Sequence, residues 1–355
     1  MRVLITGGAG FVGGNLAVAL AERRADWEIV ALDNLMRRGS ELNLSRLREA
    51  GVEFIHGDVR EPADLRAVGP FDAMVECSAE PSVLAGFGDP SYLVQTNLTG
   101  AFNCLERARV EEAFVVFLST SRVYPVAPQL ELELEETETR FELSASQPVA
   151  GAGPAGIAED FPLGGARTLY GATKLSAELL IEEYADAFGL RAAINRCGVI
   201  AGPWQMGKVD QGVFSWWLLS HLFSCPLSYI GYGGSGKQVR DLLHIDDLVD
   251  LVELQLAEPE SWSGVTAYVG GGRECSLSLR ETTEICRRLT GNEVEVGAVA
   301  ENRPGDVPVY LSDCSHLHSL TSWRPSRRPQ DVLADLLAWS AEHEGELRAA
   351  LGFER

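Results

Sequence analysis

Short apolar runs separated by helix-like stretches set the rhythm of the first half of the chain. "RVLIT" (2–6), "EIVALD" (28–33), "VEFIHGD" (52–58), "DAMVECSA" (72–79) and "AFVVFLST" (113–120) are each bounded by Gly, Asp or Pro, as strands buried on both faces are. Helical patterns such as 15–24 and 92–109 lie between them. This alternation predicts a parallel sheet covered on both faces, a doubly wound α/β domain. After Gly189, a natural helix end, residues 191–203 read as a sixth strand and its loop. From about Gly202 the alternation loosens. "QGVFSWWLLSHLF" (211–223) reads as a helix, Ser278 and Glu281 stand at capping-box spacing ahead of a helix ending near Gly291, and a last amphipathic run spans 331–343. No internal repeat is present.

Charge narrows the function classes. The chain has 30 basic and 51 acidic residues, a net charge of −21, which argues against general binding to nucleic acid or anionic membranes. An anionic ligand would need a local cluster of cations. The seven cysteines are scattered without a C-x-x-C, so neither a disulfide framework nor a metal site is expected. The apolar run before the first glycines is too short for a signal segment and no stretch of 18 apolar residues follows, so a cytoplasmic, soluble protein is expected.

The first turn, "TGGAGFVG", sets Gly7, Gly10 and Gly13 between a strand and a helix. Glycines there permit a tight turn, close approach of backbone to a pyrophosphate, and close helix packing, while the helix N-terminus favours the phosphate charge. The second strand ends in Asp33, twenty residues after Gly13, where an acid would hydrogen-bond the adenosine ribose. Such an acid repels a 2′-phosphate, so NAD is favoured over NADP. Asp58 and Val59 after the third strand, and Ser78, Ala79 and Glu80 after the fourth, fall where ligands meet the carboxyl ends of parallel strands. A Rossmann-like fold over 1–200 with a smaller C-terminal lobe over 201–355, able to return one strand or helix to the first domain, is the expected organisation.

The fifth strand delivers hydroxyls at Ser119, Thr120 and Ser121 to the same edge, and "RTLYGATKLSAELL" (167–180) follows on a predicted helix. Tyr170 and Lys174, four residues apart, share one helix face about one turn apart. A phenol that takes a hydroxyl proton, a hydroxyl that orients the same oxygen, and an ammonium that lowers the phenol pKa are what alcohol–ketone hydride chemistry needs.

T-G-G-x-G-F-x-G, the acid after the second strand, S-T ahead of V-Y, and Y-x-x-x-K together resemble the extended short-chain dehydrogenase/reductase superfamily, in its nucleotide-sugar epimerase/dehydratase branch. The resemblance implies Thr120 as the hydroxyl partner, Tyr170 as the base, and Lys174 as the ribose-binding and pKa-tuning group. It adds Phe11, Val12, Asn34, Asn97 and Arg196 to the cofactor residues. The hexose dehydratases of this branch place Asp-Glu directly after the catalytic Thr, as an acid/base pair for eliminating water. Ser121 and Arg122 stand here, so redox without elimination, and hence epimerisation, is preferred.

"DNLMRRGSELNLSRL" (33–47), "EETETRFEL" (135–143), "DQGVFSWW" (210–217) and "GSGKQVRDLLHIDDLVDL" (234–251) resemble the CDP-paratose 2-epimerase family. Its members use NAD to oxidise C2 of a CDP-linked dideoxyhexose and return hydride to the other face. The resemblance implies a nucleotide-diphosphate sugar as substrate, with a CDP-hexose favoured, and a homodimer or homotetramer. Candidate substrate contacts are Arg122, Gln211, Lys237, Gln238, Val239, Arg240 and Arg303, whose cations answer the need of an acidic protein for positive charge at a diphosphate. His244 is expected to order the loop into the next helix. Two features depart from the family: Leu169 stands where a proline usually precedes the tyrosine, and a Gly-, Ala- and Pro-rich insertion, 144–167, reads as a flexible loop over the sugar pocket. A UDP- or TDP-sugar 4-epimerase would share the same catalytic residues. A non-catalytic dinucleotide sensor would be marked by loss of the Tyr or Lys, and both are present.

Overall fold

The computed structural model describes residues 1–207 and 211–351; Asp210 of the D-Q-G stretch lies outside the described residues. The chain divides into two compact units. Met1–Val123, Leu169–Arg196 and Leu248–Ala267 form the first; Tyr124–Thr168, Cys197–Asp247 and the chain from Tyr268 onward form the second. The insertion 144–167 therefore belongs to the second unit, and a later segment rejoins the first.

The first unit is organised on strands β1 (Arg2–Thr6), β2 (Glu28–Asp33), β3 (Glu53–His56), β4 (Ala73–Glu76) and β5 (Phe114–Thr120). With Ala192–Cys197 and Thr266–Val269 they make a seven-stranded sheet in the order Thr266–Val269, Ala192–Cys197, β5, β4, β1, β2, β3. β1 pairs in parallel with both β2 and β4. The strand order reverses there, and ligands bind outside the carboxyl ends at such a switch point. Every residue of β5 is buried, in keeping with the apolar run Phe114–Leu118 that precedes its two hydroxyl residues. Leu4, Val30, Met74, Val115 and Phe117 share a core cluster with Ala101, Leu105, Ala177 and Ile181 from the covering helices. Each large side chain so buried contributes about 1.5–3 kcal/mol.

The expected single helix over 92–109 is built differently. It starts at Pro90–Val94, passes through a π-helical turn at Gln95–Thr99 and continues as Gly100–Val110. An extra residue in the turn re-aims the side chains it carries, and Asn97 is one of them.

The second unit has a four-stranded sheet of Val199–Ala201, Val239–His244, Ser276–Ser278 and Val309–Tyr310, with helices Val213–Leu222, Leu279–Thr290 and Pro329–Glu342. Ser278 Oγ accepts the Glu281 N–H at 3.0 Å while Glu281 accepts the Ser278 N–H at 2.9 Å, the capping box its spacing predicts. His244 ends its strand with Nδ1 accepting the Asp246 N–H at 3.0 Å; it orders the entry to the helix Ile245–Ala257. The insertion corrects the expectation of a flexible loop. Ala152–Gly153 and Gly156–Ile157 pair as a small hairpin, the Ile157 N–H donates to the Leu311 carbonyl and the Asp313 N–H to the Ile157 carbonyl, and Ile157 and Phe161 are buried. Composition suggested mobility, but two apolar anchors and a strand edge within reach order the segment.

Candidate active site

The first unit brings the expected cofactor residues to one sheet edge. Gly7 adopts φ +62°, and a Cβ there would lie 3.0 Å from the Cys77 carbonyl oxygen. A Cβ on Gly13 would stand 2.2 Å from the Gly7 oxygen, so the turn closes only with glycine at both places. The helix Phe11–Arg23 begins at Gly10, with Phe11 and Val12 in its first turn, no capping side chain and no acid in that turn. Its positive end is left for a ligand. Asp33 reaches back across this turn, accepting the Ala9 N–H at 3.1 Å and the Leu35 N–H at 2.8 Å. Burial raises its pKa against these donors.

The neighbouring loops are tied to the same edge. Asp58 accepts from Asn34 Nδ2 at 2.9 Å and from the Arg60 guanidinium at 2.6 Å. Burial alone would raise its pKa, but these partners outweigh it and hold the carboxyl at about 2. Val59 is buried. Asn97, carried on the π turn, clamps the loop after β4: its Oδ1 accepts the Glu80 N–H at 2.7 Å and its Nδ2 donates to the Glu80 carbonyl at 3.0 Å. Ser78 and Ala79 sit in that clamped loop, with the Ser78 Cα 3.1 Å from the position of a Cβ on Gly7. The N–H groups of the turn and of the uncapped helix end as donors, with the Asp33 carboxylate after β2 as acceptor, are a set that fits the pyrophosphate and ribose of a dinucleotide.

The catalytic candidates lie on adjoining elements of the same unit. Thr120 ends β5 and its Oγ1 accepts the Arg122 N–H at 3.2 Å. The helix Leu169–Phe188 begins against that turn: a Cβ on Gly171 would stand 1.9 Å from the Arg122 carbonyl oxygen. Glycine beside Tyr170 thus lets the Tyr170 turn press against the residues just after Thr120. Lys174, one turn further, is 2% exposed. Burial opposes its charge, but Glu76 and Tyr170 outweigh it and raise its pKa above the usual lysine value. Tyr170 therefore lies within electrostatic reach of the Lys174 ammonium.

Arg196 is nearly inaccessible, with Nε and a terminal nitrogen donating to Glu178 at 3.1 and 2.7 Å. Glu178 also accepts from the Ser119 hydroxyl. This network braces the end of β5 next to Thr120, which is the structural setting of the Arg196 expectation. Glu76 and Glu178 were not singled out from sequence. The available signal was a carboxylate closing an otherwise apolar β4 run, and another one turn beyond Lys174 on the same face.

In the second unit, Lys237 Nζ donates to Glu136 Oε1 and the Thr137 carbonyl, each at 2.7 Å. Arg240 donates to Asp306 Oδ1 at 2.6 Å and to the carbonyls of Val239 and Val307 at 2.7 Å. The Arg303 carbonyl accepts the Asp306 N–H, which puts the Arg303 turn beside Arg240. Gln238 donates to the Ile230 carbonyl at 2.9 Å. Val239 is wholly buried and its N–H donates to the Pro308 carbonyl, so its side chain packs in the core. Gln211 is half-buried just ahead of the helix Val213–Leu222. No described helix is long and apolar enough to cross a membrane.

Residues 3–270 match the NAD dependent epimerase/dehydratase family. A CDP-paratose 2-epimerase of Salmonella typhi is 28% identical over 352 residues, covering 96% of this chain and 99% of that protein. A dTDP-glucose 4,6-dehydratase of Mycolicibacterium smegmatis is 28% identical, covering 97% of this chain and 94% of that one. Among solved structures, the Thermus thermophilus UDP-glucose 4-epimerase in complex with NAD matches with a TM-score of 0.75 at 25% identity, over 96% of this chain and 98% of that one.

Proposed function

This chain belongs to the NAD dependent epimerase/dehydratase family, and from that premise we propose that it epimerises C2 of a CDP-linked dideoxyhexose, CDP-paratose or a close analogue, through a 2-keto sugar. NAD is its cofactor, and when bound it supplies the acceptor and donor of a hydride. The observation that carries the reading is the set Thr120, Tyr170 and Lys174 at the end of β5 and the start of the helix Leu169–Phe188, with Ser121 and Arg122 where an eliminating enzyme of this branch has an acid pair.

The Tyr170 phenolate removes the proton of the sugar hydroxyl, and Thr120 hydrogen-bonds the same oxygen. The Lys174 charge brings a phenol of ordinary pKa about 10 towards the working range. Tyr170 returns the proton once the keto sugar has presented its other face. Asp33, the glycine turn and the uncapped helix end hold the dinucleotide. Lys237 and Arg240 exchange their present partners for the diphosphate, Arg303 adds a third cation to it, and Arg122 replaces acid chemistry with a contact to sugar or phosphate. Similarity to the Salmonella typhi protein along nearly the whole of both chains supports C2 and the CDP group.

The likeness to a UDP-glucose 4-epimerase supports a second reading, the same chemistry at C4 of a UDP- or TDP-sugar. Exposed Leu179 and Phe188, with Phe102 and Val110 on the helix Gly100–Val110, are the apolar surface on which we extend the proposal to a homo-oligomer. Incubation of the CDP-sugar in D₂O without added cofactor tests the chemistry. The epimer should form without deuterium at C2, because the hydride returns to the carbon it left; deuterium there would mean proton abstraction from carbon instead.

A further inference from the structure

We propose that Glu76 is a positioning residue for the catalytic apparatus, fixing the Lys174 ammonium and the charge that Lys174 presents to Tyr170. The inference rests on the catalytic assignment of Lys174 and adds a residue to it. Glu76 closes β4, in register with Thr6 of β1 and Phe117 of β5. It is thus the carboxyl-end residue of a central strand, at the switch point. The three residues before it, Ala73, Met74 and Val75, are buried and apolar. A carboxylate in that position breaks the pattern of a buried parallel strand, and such local violations concentrate at functional sites.

The side chains of Lys174 and Glu76 are 2% and 3% exposed, and their Nζ and Oε2 lie 3.2 Å apart. Lys174 Nζ also sits 4.4 Å from the centre of the Phe117 ring. Glu76 Oε1 has no hydrogen-bond partner among the described residues. Lys174 is the one cation in contact with the carboxylate, with the Ser78 N–H as a neutral donor beside it, and the cation has one carboxylate in contact.

The other titratable groups facing Lys174 cannot take over this role. Cys77, which follows β4, and Tyr170, from the Lys174 helix, act on it only through space. Cys104, from the helix Gly100–Val110, is buried, and burial pushes its thiol well up, leaving it neutral. Phe117 from β5 is apolar, and Ser119 is engaged by Glu178. Without Glu76 the buried ammonium would lose the partner that offsets its burial and would release its proton at lower pH.

The chain contains three lysines, Lys174, Lys208 and Lys237, so side-chain NMR of lysine-labelled, NAD-loaded enzyme can follow Lys174 directly, its signal assigned by loss in Lys174→Arg. In the unaltered enzyme Lys174 should stay charged beyond an ordinary lysine. In Glu76→Gln its titration should fall by about 1–3 pH units, with Lys208 and Lys237 unmoved, and the alkaline limb of kcat should fall with it. Glu76→Asp keeps the charge but withdraws it by one methylene; a smaller fall in the same direction is expected, and this variant decides the matter if the Gln variant does not fold. Unchanged Lys174 titration in the folded variants would overturn the role of Glu76. The titration needs no sugar. A shifted Lys174 in an enzyme that turns over no CDP-sugar would count against the substrate reading alone, and an unshifted one in an active enzyme against Glu76 alone.

Discussion

Glu178 in the first unit and Asp241 in the second are both almost wholly inaccessible, yet they are accommodated by different means. Glu178 faces the Arg196 guanidinium and the Ser119 hydroxyl. Asp241 has no cation in hydrogen-bonding contact among the described residues; its Oδ2 accepts the N–H groups of Gly272 and Ser312 at 3.3 and 3.4 Å. Burial, only partly offset by these donors, pushes its carboxyl up to about 6. The contrast separates two uses of a buried acid. Paired with a cation beside β5, it braces the strand end that carries Thr120; held by neutral donors, it ties loops together and titrates close to neutrality.

The largest expected effect tests whether the chemistry belongs to the first unit. Tyr170→Phe should lower kcat by about 10²–10⁴-fold, the range for loss of a general base, while nucleotide released on denaturation stays at the wild-type amount. Substantial turnover in this variant would move the base elsewhere. Glu178→Ala should destabilise by about 3–5 kcal/mol in urea unfolding, because it strands a buried guanidinium; a loss near that of a surface pair would mean that the network is dispensable.

Asp241→Asn sharpens the comparison through pH. The folded pKa of about 6 exceeds the ordinary value of 3.8, so the folded state binds the extra proton between them. The stability this contributes is full below about pH 4 and is lost as pH rises through 6, a difference of about 3 kcal/mol. The Asn variant should lack that fall, seen as a changed gap between its unfolding free energy and that of the wild type at pH 4 and pH 7. A gap independent of pH would show that Asp241 titrates normally. Smallest is Arg240→Ala, expected to raise KM for the nucleotide sugar about tenfold with kcat little altered, since a charged hydrogen bond contributes about 1.5–3 kcal/mol. An unchanged KM would remove Arg240 from the diphosphate site.

What was legible in the sequence follows from how local each signal is. β1 and β2 match their apolar runs end to end, the Ser278 cap and the Gly291 stop are where short-range spacing puts them, and the glycine turn is recognisable because its steric demands fall within one short segment of chain. The order of the 144–167 insertion was not legible: Gly, Ala and Pro suggest mobility, while the order comes from Ile157 meeting residues 311–313, far along the chain. Nor was the link between Glu76 and Lys174, 98 positions apart. A pattern read along one strand sees a stray acid, and only the sheet supplies its partner.

NMR of CDP-, GDP-, UDP- and TDP-hexoses incubated with the purified enzyme and no added cofactor bears most directly on the reaction. A C2 epimer forming from a CDP-sugar, with the other nucleotide sugars left unchanged, is the expected result. A C4 epimer from a UDP- or TDP-sugar, with CDP-sugars untouched, would contradict it.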